Sequence, residues 1–213
     1  MRRIGKHASG FTLIELLIVI ALITVLAGLL FPAFVGVLNS AKKTQAKNDL
    51  TQIATAVNAF YTEYGKYPLA AGIITDTTFG PGGSPATNET LFTELRGCTA
   101  VTGSCPAVAV LNTRQIVFVS PPDVKDPTKP RSGIATQTVG SIPLGSYVDP
   151  WGTNYVIRID GGYSNTLANP YTSNAGSTTL QNGVIAWCLG EDKIGGSGDK
   201  KLATAADDVI SWQ

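Results

Sequence analysis

Glu15 is the only ionisable side chain between Phe11 and Leu38, and it stands five residues after Gly10 in an otherwise apolar run. A carboxylate near the end of a membrane-spanning helix costs up to roughly 2.5–3.5 kcal/mol on insertion scales, so it carries a function or meets a partner. The nearest suitable partner is an amino terminus made just ahead of it, and the chemistry would be charge neutralisation. A second concentration of oxygen donors lies at the other end of the chain, in Leu189-Gly190-Glu191-Asp192 through Ser197-Gly198-Asp199 and then Asp207-Asp208. Oxygen-bearing side chains separated by glycines suit a hard cation such as Ca²⁺, which takes six to eight oxygen ligands.

Other chemistry is restricted by composition. His7 is the only histidine, and it lies in the basic segment Arg2-Arg3-Lys6-His7 ahead of the apolar run. If that segment is removed, no histidine is left for a Ser-His-Asp or Cys-His arrangement or for histidine-ligated metal. A carboxylate pair can act as acid and base, but the acids beyond the run are scattered over turns, so no enzyme is expected. Losing Arg2, Arg3 and Lys6 also leaves 13 basic against 15 acidic residues, a balance that offers no nucleic-acid surface. Cys98 and Cys105 flank a short Thr/Gly/Ser loop and can form a disulfide in an oxidising compartment. Cys188 is left over as a small packed residue.

The elements that position these groups begin with the apolar run itself. It exceeds the ~20 residues needed to span a bilayer, and the positive charge before it holds that end in the cytoplasm. A secretory signal has a shorter apolar part followed by a small-x-small cleavage site, whereas here the small residue, Gly10, comes first. Gly28 and the Phe31-Pro32 step predict a kink or local melting near residues 28 to 32. Farther on, Leu50, Ile53, Ala54, Val57, Phe60, Tyr61 and Tyr64 recur at three- and four-residue steps opposite Lys42, Lys43, Lys47, Asp49, Gln52 and Asn58, the pattern of an amphipathic helix. Gly65 stops it, and Tyr67-Pro68 follows. A helix from Phe11 to Tyr64 would be roughly 80 Å long if unbroken.

Gly10-Phe11-Thr12-Leu13-Ile14-Glu15-Leu16-Leu17-Ile18-Val19-Ile20 resembles the signature of the type IV pilin and pseudopilin superfamily. The resemblance implies that a prepilin peptidase cuts between Gly10 and Phe11 and methylates the new amino terminus, giving an N-methylphenylalanine. Residues 1–10 are then a leader, residues 11–64 the long helix with its transmembrane stem, and residues 65–213 a periplasmic head. Glu15 would pair with the Phe11 ammonium of a neighbouring subunit and set the axial register. Pro32 matches the family's helix-breaking proline.

Within the head, residues 65–148 read as a variable loop region rich in Pro, Gly, Ser and Thr. A short helix is expected at Glu89 to Arg96, capped by Thr87 or Asn88 and ended by Gly97. Gln115 to Val119 reads as a strand. In residues 149–213 the turn Asp149-Pro150-Trp151-Gly152 leads into the strand Val156–Ile159, and further strands are expected at Val184–Leu189 and Val209–Trp212. The fold class is therefore α+β: the amphipathic half of the helix on a small antiparallel sheet.

Asp149-Pro150-Trp151-Gly152-Thr153-Asn154-Tyr155 and the Tyr61…Gly65-Lys66-Tyr67-Pro68 helix exit resemble elements of the major, or G-type, pseudopilin of type II secretion. Leu189-Gly190-Glu191-Asp192 and Asp207-Asp208-Val209 resemble the two ends of its calcium loop. Candidate ligands on that resemblance are the Leu189 carbonyl, Asp192, Ser197 or Asp199, and Asp207 or Asp208. The residues around Lys200-Lys201-Leu202 depart from the family loop.

The implied function is a subunit of a periplasmic pseudopilus, anchored in the bacterial inner membrane, that drives folded proteins across the outer membrane. Its implied partners are further copies of itself, minor pseudopilins, the prepilin peptidase, and an inner-membrane assembly platform with a cytoplasmic ATPase. Glu15 speaks against the tip subunit, which lacks that acid. The alternative is a surface type IV pilin for adhesion, twitching motility or DNA uptake, and a third class is a membrane-anchored periplasmic enzyme or binding protein. Only the head separates the first two.

Overall fold

A computed structural model describes residues 11–195, 198–202 and 204–213, with backbone alone for residues 29–35. Helix α1 runs from Leu13 to Tyr64. It ends because Gly65 turns to φ +66°, a left-handed conformation that glycine adopts without the Cβ clash of other residues. The chain divides into two compact units, one ending at Lys42 and the other running from Lys43 to Gln213. The boundary falls inside α1, so the second half of the helix belongs to the body.

In the first unit the apolar side chains of α1 are exposed from Leu13 to Leu26. Among the described residues no helix is long and apolar enough to cross a membrane. A kink or local melting is expected near residues 28 to 32, and the backbone there is helical throughout, so the melted alternative does not hold.

In the second unit α1 buries Ala46, Leu50, Ile53, Ala56, Val57 and Phe60 against the rest of the body. Among the described residues ten strands and one further helix follow in the unit: β1 (Thr77–Phe79), α2 (Glu89–Leu95), β2 (Gly133–Ile134), β3 (Tyr147–Val148), β4 (Val156–Ile159), β5 (Leu167–Ala168), β6 (Tyr171–Ser173), β7 (Thr179–Leu180), β8 (Val184–Cys188), β9 (Gly198–Asp199) and β10 (Val209–Ile210). The main sheet is antiparallel in the order β1-β4-β8-β10, with Ile157 opposite Ala186 and Val209 opposite Cys188. This is the α+β architecture expected of a pilin-like fold.

Both faces of the sheet are covered. Ile157, Ile159, Val184, Ala186 and Cys188 join the core shared with α1. Val156, Ile185 and Trp187 face a second core closed by Leu167, Tyr171, Leu180 and Leu189. Burial on both faces explains why β4 and β8 are apolar nearly throughout instead of alternating with polar residues.

The long segment between α1 and β3 is held by buried polar side chains. Glu94 accepts the N–H groups of Val110, Leu111 and Asn112, each at 2.9 Å, and Arg96 donates to both the carbonyl and the hydroxyl of Ser104. Cys98 and Cys105 are joined by a disulfide, with Cα atoms 5.8 Å apart.

Four expectations for the second unit need correction. Residues 115–119 form no strand, because Gln115 has φ +55° and the N–H groups of Phe118 and Val119 donate to the Leu95 carbonyl at the end of α2. Asn88 occupies the cap position of α2 without capping it. Its amide instead donates to the carbonyls of Tyr147 and Tyr155 and accepts the Tyr147 N–H, tying β3 to the residue before β4. Asp49, placed on the polar face of α1, is buried against the Tyr155 hydroxyl. Tyr61, placed on the apolar face, is 40% exposed and stacks on Tyr67.

Candidate assembly and metal sites

The first site is the start of α1. Thr12 donates to Glu15 Oε2 through its N–H at 2.8 Å and its hydroxyl at 2.9 Å, and the Glu15 N–H returns to Thr12 Oγ1 at 3.3 Å. This is a capping box, which satisfies two backbone donors that a helix start leaves without partners. Glu15 therefore has a local partner in its own chain as well as a charge available to another molecule. Thr12 was missed as a site residue although Thr-x-x-Glu is the sequence mark of such a cap. Phe11 is exposed, and Gly10 lies outside the described residues.

The second site is built where the turn after β8 meets the segment before β10. Asp207 Oδ2 accepts the N–H groups of Glu191 and Asp192 at 2.5 and 3.1 Å, which folds the acidic loop back on itself. Gly190 makes the approach possible: it has φ +66°, and a Cβ there would lie 2.5 Å from Asp207 Oδ2. Carboxylate oxygens of Asp192, Asp207 and Asp208 come within 4.8 Å of one another. Asp207 Oδ1 is buried without a hydrogen bond, and the Tyr171 hydroxyl donates to Asp208 Oδ2 at 2.7 Å.

The remaining candidates are placed differently. Asp199 stands outside this cluster, its Oδ1 taken by the Asn174 amide at 2.6 Å and the Lys201 N–H at 2.9 Å. Leu189 turns its side chain into the second core. Ser197 lies outside the described residues.

Two further carboxyls are buried for structural reasons. Asp149 Oδ1 accepts the N–H groups of Trp151, Gly152 and Thr153 at 2.8–2.9 Å, which closes the Asp-Pro-Trp-Gly turn. Burial nevertheless pushes this carboxyl up to about 6, against the pull of those donors and of Lys193. Burial likewise raises Asp49 above the usual carboxylate range, although the Tyr155 and Tyr147 hydroxyls work the other way. Burial also pushes the Cys188 thiol up to about 12, which removes it from thiolate chemistry.

A long helix with an apolar first half, a capped Phe-Thr-Leu-Ile-Glu start and a sheet-bearing body define a filament-type subunit class. Comparison with known proteins agrees. The prokaryotic N-terminal methylation motif matches residues 5–31. Fimbrial protein Q of Moraxella bovis is 33% identical over 111 residues, covering 50% of this chain and 70% of that protein. The chain belongs to the type IV pilin and pseudopilin superfamily.

Two other relatives match over shorter lengths. The type IV major pilin protein PilA of Myxococcus xanthus is 38% identical over 65 residues, 30% of each chain. The type II secretion system core protein G of Pseudomonas aeruginosa is 32% identical over 80 residues, 38% of this chain and 56% of that protein. Both matches span less than two thirds of the relative. No solved structure gives a significant match.

Proposed function

We propose that the protein is a major-type pseudopilin of a type II secretion system. It is trimmed after Gly10, held in the inner membrane by the Phe11–Leu38 stem, and polymerised through its stems into a periplasmic filament that drives export of folded proteins. The observation that carries this reading is the body's C-terminal part, where Asp149 and Trp151 of the Asp149-Pro150-Trp151-Gly152 turn are buried and the Gly190-to-Asp208 loop gathers three carboxylates. The name of the Pseudomonas relative supports the same reading. In the filament the Glu15 carboxylate would leave or share its Thr12 partners to meet the Phe11 ammonium of the next copy.

The three carboxylates fit Ca²⁺. Asp207 Oδ1 is a buried oxygen with no hydrogen bond, and Asp192, Asp207 and Asp208 mass negative charge that a divalent cation would offset. Those residues would hold the ion, and its role would be to fix the loop against β10. Titration of the full chain in detergent is expected to release heat and raise the melting temperature, with both effects lost in Asp207→Ala. An unchanged melting temperature with Ca²⁺ would remove the metal from this reading.

A surface type IV pilin is the second reading, favoured by the long disulfide-bearing segment between α1 and β3 and by the Myxococcus and Moraxella relatives. Deleting the gene separates the two. Loss of several secreted proteins with surface filaments unchanged is expected, and intact secretion with missing surface filaments would make the protein a pilin. A membrane-anchored enzyme or binding protein would instead leave Met1 in place and the chain monomeric.

A further inference from the structure

Lys43, Lys47 and Lys200 line one groove of about 610 Å³, together with Asp208 and Ile210. Lys43 and Lys47 are one helical turn apart and share a face of α1, while Lys200 comes from the acidic loop. The groove is held in shape by its own lysines: Lys47 Nζ donates to the Ile210 carbonyl at 2.7 Å and to the Gln213 carbonyl, and Lys200 Nζ donates to the Ala205 carbonyl at 2.7 Å. The Ile210 and Ala205 partners are internal amide carbonyls, which carry no charge. Among the described residues that line the groove, Asp208 has the one acidic side chain.

Three cations gathered on one concave surface favour an anion, and position along the chain indicates its source. Lys43 stands five residues and Lys47 nine residues past Leu38, where the apolar run ends. If Phe11 starts at the cytoplasmic face, as the proposed anchor requires, Lys43 and Lys47 emerge at the outer headgroup layer. We infer that the Lys43/Lys47/Lys200 groove is a docking site for the headgroup phosphate of an anionic phospholipid. It would engage that headgroup before assembly. The inference rests on the anchored reading given above.

Lysine acetylation followed by peptide mass spectrometry tests it, with the full chain in nanodiscs of phosphatidylcholine alone or with about one third phosphatidylglycerol. A juxtamembrane lysine gains about fivefold in association with an anionic surface. Modification of Lys43 and Lys200 is therefore expected to slow by about that factor in the anionic discs, while Lys125 and Lys129 react equally in both. Lys200→Glu should reduce the protection at Lys43.

Equal rates at Lys43 and Lys200 in a chain that has incorporated would overturn the headgroup site and leave the anchor standing. A chain that enters neither disc would overturn both. Protection lost in chelator would assign the effect to metal bridging at Asp208, and equal protection by soluble glycerol phosphate in neutral discs would assign it to free phosphate. Protection in neutral discs that rises with protein concentration would assign the groove to a second copy. Each of those three results overturns the lipid site.

Discussion

Along one helix, Leu13, Leu17 and Ile23 are 88%, 61% and 56% exposed, whereas Leu50, Ile53, Val57 and Phe60 are fully buried. Both stretches are apolar, and among the described residues only the second finds its cover within the chain. Apolar surface of this kind gains roughly 25 cal/mol per Å² when it leaves water, and on the proposed anchored reading the first stretch obtains that gain from lipid or from other copies. On that reading stability and assembly are carried by different halves of α1. Substitutions can separate them.

The largest expected effect is at Phe60, whose ring centroid lies 4.5 Å from that of Tyr64 and 5.3 Å from that of Phe118. Phe60→Ala should destabilise the body by about 3–5 kcal/mol, whereas Leu17→Ala, which removes a side chain with no cover in the chain, should leave denaturant unfolding in detergent unchanged. Equal losses from the two would erase the contrast between the halves.

That contrast also marks how far the sequence could be read. The helix, its stop at Gly65 and strands β4 and β8 follow from local periodicity and turn residues, and each stands within a residue or two of its expected place. Asp49 looked solvated because its partner, the Tyr155 hydroxyl, is 106 residues away. Asn88 looked like a cap because the two carbonyls it bridges belong to β3 and to the residue before β4. The segment Gln115–Val119 has strand composition, yet its backbone donors find the end of α2. In each case a distant partner overrode a local preference. The acidic loop was legible as a cluster, but which acids converge depended on Gly190 and on Asn174 claiming Asp199.

A smaller effect, confined to the body, comes from Asp149. Its carboxyl is raised to about 6 from an ordinary 3.8, so between those values the folded state holds a proton that the unfolded state has lost. Stability from this group is fully present below the unfolded value and declines as pH rises through about 6, by about 3 kcal/mol in all. Asp149→Asn keeps an oxygen for the three turn N–H groups and cannot titrate. Unfolding free energies measured across about pH 4 to 7 should therefore converge or cross for the two proteins as pH rises. Parallel curves would mean that the turn donors offset burial in full and that the carboxyl titrates at its usual value.

The smallest effect falls in the exposed half, where it separates the two duties of Glu15. Thr12→Ala removes the cap hydroxyl but leaves the carboxylate, so it should fray the first turn of α1 at a cost of about 1 kcal/mol. Hydrogen exchange at residues 13–16 reads that loss. Glu15→Gln keeps an oxygen that can accept the Thr12 N–H but gives up the negative charge. If neutralising the amino terminus of a neighbour is what assembly needs, the Gln variant should be inserted and processed normally yet form no filaments, while the Ala variant still assembles. The reverse result would make the capped geometry of the helix start, rather than its charge, the feature that assembly reads.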